Sequence, residues 1–207
     1  MQSPAVDVTS TYDLETSGNG DRRWETWPAG QVNVPTVSIV AKSNTGKTTL
    51  LELLLPILKA GGLRVGVLKH HSHLSSFDTP GKDTYRLADA GADVVVGASP
   101  VQVAVFRREN GSADLDTVLA THFTGMDLVL TEGYRRGSYP KIEVQRSARS
   151  NELICRIDEL LALVSDRSWS LPAGIPLFPL HDPTPLAEFL HSRLSAATRG
   201  NGDGRIG

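Results

Sequence analysis

Between Thr36 and Leu55 the chain reads TVSIVAKSNTGKTTLLELLL, the stretch that most restricts what it can fold into. A short β-branched run (Val37, Ile39, Val40) enters a turn of small residues, closes on Gly46-Lys47-Thr48-Thr49 and opens into a leucine-rich segment long enough for a helix. Strand, loop and helix in that order give a Walker A match its physical meaning. The loop residues Ser43, Asn44, Thr45 and Gly46, with Lys47, Thr48 and Thr49, turn successive backbone N–H groups inward as an anion nest. The helix adds about half a positive charge at its N-terminus. Gly46 lets the backbone approach a β-phosphate, Lys47 reaches the β- and γ-oxygens, and the Thr48 hydroxyl is placed to ligate Mg²⁺. Ala41 stands where the strict pattern has glycine, which would cost about 1–2 kcal/mol if that position needed a positive φ. The plainer alternative is a strand-turn-helix joint carrying a surface lysine.

The composition predicts one soluble domain, and the alternation of its elements an α/β fold. With 207 residues, 40% of them apolar, and a formal charge of −2, the chain can bury a core and shows no basic excess pointing to nucleic acid. A single cysteine, Cys155, rules out an internal disulfide. No apolar run reaches the roughly 18 residues of a membrane helix, and no leader pattern precedes the first strand, so a cytoplasmic location is expected. Residues 1–33 read as a disordered extension with Trp24 and Trp27 as candidate anchors, 34–195 as the nucleotide-binding domain, and 196–207 as a flexible tail.

Strands and helices alternate through the domain, which argues for a largely parallel sheet. Expected helices run from Lys47 to Ala60, Lys82 to Ala90, Ser112 to Thr121 and Thr184 to Leu194, with Pro56 kinking or ending the first. Expected strands follow at Leu63 to Leu68, Val94 to Gly97, Val101 to Arg107, Leu128 to Leu130, Ile142 to Val144 and Leu160 to Val164.

Ligands of a parallel sheet bind outside the carboxyl ends of its strands. In DLVLTEG, Asp127 begins a strand and Glu132 follows it, so about 16 Å separates them and only one acid faces the phosphates. That acid is Glu132, assigned to the Mg²⁺ shell or to a water, with Gly133 resembling a backbone contact beside a γ-phosphate. Asp127 belongs to the opposite edge. Lys69 and His70 emerge at the ligand end of the strand from Leu63 to Leu68; without cysteine, the three histidines His70, His71 and His73 on a loop define no metal geometry, and contact with substrate or phosphate is the expectation. Asp78 to Asp83 would form a mobile segment sensing the γ-phosphate. Lys42 is expected to be solvated, the alternative being a lysine that reaches a partner's nucleotide across a dimer.

AKSNTGKTTL, VGVLKHHSH, TPGKDTYRLADAGAD, Ser99-Pro100, DLVLTEGY and PKIEVQR resemble, in order and spacing, the MobB family of molybdopterin-guanine dinucleotide biosynthesis proteins, over about residues 34–195. The resemblance implies a P-loop NTPase fold of three layers and a homodimer that binds GTP with Mg²⁺ and hydrolyses it weakly. Such a protein would act as an adapter beside the molybdenum cofactor guanylyltransferase and molybdopterin. Carried over by position, Lys69, His70 and His73 match the basic loop, and Gly81, Lys82, Asp83 and Arg86 the segment after it. Pro140, Lys141, Glu143 and Arg146 match a later strand whose charged side is expected to be either a solvated face or a partner or cofactor surface. Asp166, ending LLALVSD, is expected to read the guanine edge or else to be a cap or surface residue. An ATP-dependent small-molecule kinase or synthase on the same fold is the rival reading.

Overall fold

A computed structural model describes residues 6–7, 34–71, 76–109 and 114–200. His73, both anchor tryptophans and most of the expected extension and tail lie outside them. The chain divides into two compact units, one running to His70 and resuming at Leu119, the other spanning His71–Val118, where the sequence suggests one domain over 34–195.

The larger unit is built on a six-stranded sheet. Its strands are β2 (Thr36–Val40), β3 (Val65–Lys69), β6 (Leu128–Glu132), β7 (Lys141–Gln145), β8 (Leu160–Ser165) and β10 (Leu177–Pro179). They lie in the order β10-β8-β7-β2-β6-β3, all pairs parallel. The strand of the opening stretch is therefore central, which is why all five of its residues are buried. Alternation sends Val37 and Ile39 to one face, against Leu50, Leu54 and Leu58 of α1 (Lys47–Ala60) and Leu186 and Leu190 of α4 (Thr184–Gly200). Val40 points to the other face, where Leu160, Leu163, Cys155, Trp169 and Ile175 close over it.

Helix α1 has the bounds expected from the sequence, Lys47–Ala60, and is not ended at Pro56: the residue is exposed, so the carbonyl left without an N–H partner can turn to water. Two other boundaries differ from those read in the sequence. Helix α4 continues to Gly200, past the expected tail boundary at 195. Val6–Asp7, inside the expected disordered extension, forms β1 and pairs in parallel with β9 (Trp169–Ser170).

The smaller unit holds an antiparallel hairpin of β4 (Val94–Ala98) and β5 (Val103–Arg107), with α2 (Asp83–Asp89) packed on it. Ser99 closes the turn, its amide donating to the Gln102 carbonyl at 2.8 Å and its hydroxyl accepting from the Gln102 amide at 3.0 Å. The residues of α3 (Leu115–His122) are shared between the two units.

Candidate functional site

At the carboxyl end of β2 the chain makes the turn that the glycine-poor sequence left open. Ala41 does not take a positive φ; the left-handed residues are Asn44, at 57°, and Gly46, at 103°. Asparagine tolerates that region better than other side chains, so substitution at the first position carries no backbone strain. The Thr45 hydroxyl, buried, donates to the Lys42 carbonyl at 2.8 Å and pins the turn from inside. Helix α1 then starts with no side-chain cap and no acidic residue in its first turn. Its leading N–H groups and dipole are free for an anion.

Glu132, the last residue of β6, is brought to this loop by pairing: β6 lies beside β2, with Ile39 opposite Glu132, and beside β3, with Lys69 opposite Glu132. One carboxylate oxygen accepts from the Thr48 hydroxyl at 2.7 Å and the other lies 3.5 Å from the Lys69 ammonium. The side chain is nearly enclosed, the whole residue 9% exposed. A carboxylate and a hydroxyl meeting at the N-terminus of a phosphate-loop helix offer the hard oxygen donors that suit Mg²⁺. Among the described residues no three His, Cys, Asp or Glu side chains group as a metal site, so such an ion would complete its shell from phosphate and water.

Other expected site residues fall differently. Asp127 sits at the opposite edge, where its carboxylate takes the Arg64 amide at 2.7 Å and pairs with the Arg64 guanidinium at 3.2 Å; those bonds hold its carboxyl below the usual range. The Gly133 N–H, expected beside a γ-phosphate, donates instead to the Ile39 carbonyl at 3.0 Å. Gly133 has φ 90°, and a Cβ there would come within 3.2 Å of the His70 carbonyl, so glycine is needed for the close crossing of two strand ends. His70 turns its ring edge-on to Tyr134, centroids 5.0 Å apart. Asp78, Lys82, Asp83 and Arg86 belong to the smaller unit, Asp83 and Arg86 pairing at 3.4 Å one helical turn apart.

The charged side of β7 is the clearest correction. Lys141 and Glu143 form neither a solvated face nor a partner surface: they are 1% and 0% exposed. Alternation along β7 separates two buried faces, because residues 150–159 fold over the second. Lys141 donates to the Gly137 carbonyl at 2.8 Å and pairs with Glu159 at 3.2 Å. The Glu143 carboxylate accepts from the Ile154 and Cys155 amides, both at 2.9 Å, and from the Gln145 side chain. Burial nevertheless pushes its carboxyl above the usual range, and burial together with the Glu143 charge raises the Cys155 thiol far beyond physiological pH, leaving it inert.

Arg146, carried over as a partner or cofactor contact, lies against the phosphate loop: its Nε donates to the Thr45 carbonyl at 3.3 Å. Asp166 accepts the Ser147 amide at 2.7 Å and the Ser147 hydroxyl at 3.0 Å, leaving lone pairs on both oxygens. Lys42 is exposed, and its ammonium donates to the Ser150 hydroxyl at 2.7 Å. Sequence reasoning missed this role of residues 146–152; the one available signal was Gln145, a third polar side chain on the same side of a strand beside the central one.

A family model described as molybdopterin guanine dinucleotide synthesis protein B matches residues 36–166. The molybdopterin-guanine dinucleotide biosynthesis adapter protein of Escherichia coli is 36% identical over 169 residues, covering 78% of this chain and 94% of that protein. A probable adapter protein of the same description from Bacillus subtilis is 32% identical, over 77% of this chain and 93% of its own length. Among solved structures, that of molybdopterin-guanine biosynthesis protein B superposes with a TM-score of 0.59 at 32% identity, covering 76% of this chain and 98% of that one. The crystal structure of Bacillus subtilis MobB gives 0.62 at 28% identity, covering 76% and 96%.

Proposed function

The chain belongs to the MobB family, and from that premise we propose that it is a GTP-binding, weakly hydrolysing adapter in molybdopterin guanine dinucleotide synthesis. The observation that carries the nucleotide part is the meeting of Thr48 with Glu132 at 2.7 Å beside an uncapped helix N-terminus. Lys47 and the N–H groups of residues 43–49 would hold the phosphates, and Thr48 with Glu132 would hold Mg²⁺, which neutralises charge on the β- and γ-oxygens. Glu132, with the Lys69 ammonium 3.5 Å from its carboxylate, is also placed to orient water for attack on the γ-phosphate. Asp166, oriented by Ser147, is the candidate for accepting from the N1 and amino groups of guanine.

Slow turnover suits an adapter, whose task is to present nucleotide or cofactor to a partner. The partner in this reading is the guanylyltransferase that joins the nucleotide to molybdopterin, and the working species is a homodimer. A cytoplasmic site of action is consistent with the absence, among the described residues, of a helix long and apolar enough to cross a membrane.

Calorimetry with GTP and Mg²⁺ tests the core of the proposal. Removing the Lys47 ammonium forfeits about 1.5–3 kcal/mol of charged phosphate contact, a roughly ten- to hundredfold loss of affinity in Lys47→Ala. Unchanged binding in that variant, or a preference for ATP with rapid phosphorylation of a small acceptor, would overturn it.

A further inference from the structure

We infer that Arg146 is a positioning residue for the phosphate loop, acting from a brace formed by residues 146–152 and touching no phosphate itself. The inference rests on the reading of this loop as a nucleotide site and concerns how the loop keeps its shape.

An anion nest works only while its N–H groups point inward, which leaves the carbonyls on the outer side. Such a loop, with its few apolar side chains, cannot hold that arrangement by packing. Here two polar staples hold it from outside. Arg146 donates through Nε to the Thr45 carbonyl at 3.3 Å, and its Nη2 lies 3.3 Å from where a Cβ on Gly46 would stand. The guanidinium therefore rests on the two residues that precede Lys47. From the other direction, the Lys42 ammonium reaches back to the Ser150 hydroxyl at 2.7 Å.

The brace is itself built to be rigid. The Arg146 carbonyl accepts the Arg149 amide at 2.8 Å and the Ser150 amide at 3.2 Å, closing a turn. The Ser150 hydroxyl, after receiving Lys42, donates to the Glu152 carbonyl at 3.0 Å. Beneath it, Gln145 donates to the same carbonyl at 2.8 Å, and Glu143 takes the amides of Ile154 and Cys155. Ser147 is tied to Asp166 by two further bonds. Lys42 and residues 147–152 line an open cleft of about 400 Å³ beside these staples. The brace explains a buried carboxylate and a buried glutamine on β7 that no phosphate chemistry requires.

The staples act on Thr45 and Gly46, whose neighbouring amides face the phosphate common to di- and triphosphates. Arg146→Ala should therefore weaken GDP and GTP by the same factor, about tenfold, through lost preorganisation, with the turnover rate at saturating GTP kept within about twofold. Arg146→Lys, which keeps one donor, should restore part of the affinity. Lys42→Met should weaken both nucleotides as well, and the double variant should lose less than the product of the single effects, since both staples hold one loop.

Titration of the full-length chain and these variants with GDP and with GTP, followed by steady-state turnover, decides the matter. Weakening of GTP alone would mean that Arg146 touches the γ-phosphate and overturns the positioning role, as would unchanged binding of both nucleotides. A purely destabilising substitution would instead lower the melting temperature of the nucleotide-free chain and be no better tolerated as Arg146→Lys, which also refutes it. Wild-type chain that binds neither nucleotide removes the phosphate-site reading along with this one; wild type that binds, with Arg146→Ala equal to it, removes this one alone.

Discussion

Glu132 is held between a hydroxyl and an ammonium, and the two contacts make separable demands. Thr48→Ala removes a metal-ligating oxygen and leaves the nest intact. Its affinity for GTP should fall about tenfold in Mg²⁺, the value of one charge-assisted contact, and change little in EDTA; calorimetry in the two buffers gives the comparison. Glu132→Gln, which keeps one oxygen donor for Mg²⁺, should weaken GTP binding less than Thr48→Ala does and slow single-turnover hydrolysis at least about tenfold. That Glu132 and not Asp127 faces the loop was legible in the sequence, because a strand's length and direction decide which of two acids emerges where ligands bind. Glu143 could not be read in this way. Its carboxyl keeps a proton to higher pH in the folded chain than in the unfolded one, so its contribution to stability is full below the unfolded value near 4.3 and is lost as pH rises through the folded one. Glu143→Gln, which turns an NH₂ toward the Ile154 or Cys155 amide, should cost about 1–3 kcal/mol, and its stability gap to wild type in urea melts should narrow as pH rises.

At the scale of elements, strand β3 shows how closely the sheet's flank is fitted. A Cβ at Gly66 would overlap the Phe123 ring, which follows α3. Gly66→Ala should therefore destabilise the chain by about 1–3 kcal/mol, read as a lowered melting temperature, and Phe123→Leu should recover part of it. Strands β2, β6 and β8 were legible as short buried runs. Strand β7 was misjudged because K-I-E-V-Q alternates like a strand with one wet face, and nothing local says that residues 150–159 will cover that face. The Arg146 to Thr45 contact spans 101 residues of sequence and leaves no local trace at all. The opposite holds for the turn between β4 and β5, where Ser99-Pro100 marked the joint and the structure places it.

At the scale of the molecule, the hairpin of the smaller unit carries an unfinished surface. Val94, Val96, Val103 and Val105 are 48%, 56%, 66% and 50% exposed, and the register puts all four on one side. Two strands alone are marginal in water, and α2 packs on the hairpin without covering these valines. Such a face suits the homodimer proposed above. Sedimentation should show wild type self-associating and a Val96→Lys, Val103→Lys variant as monomer at the same concentration; a variant that stays dimeric would place the contact elsewhere. The central position of β2 has a consequence of its own for how the protein is born. Ser38 and Thr131, bonded at 2.9 Å across β2 and β6, lie 93 residues apart, and β7 emerges later still. At about 5–20 residues per second, a ribosome takes roughly 5–20 s to bring out both neighbours after Val40 appears. Through that interval TVSIV has neither of its neighbouring strands, so the nucleotide loop can take its shape only after Gln145 has emerged.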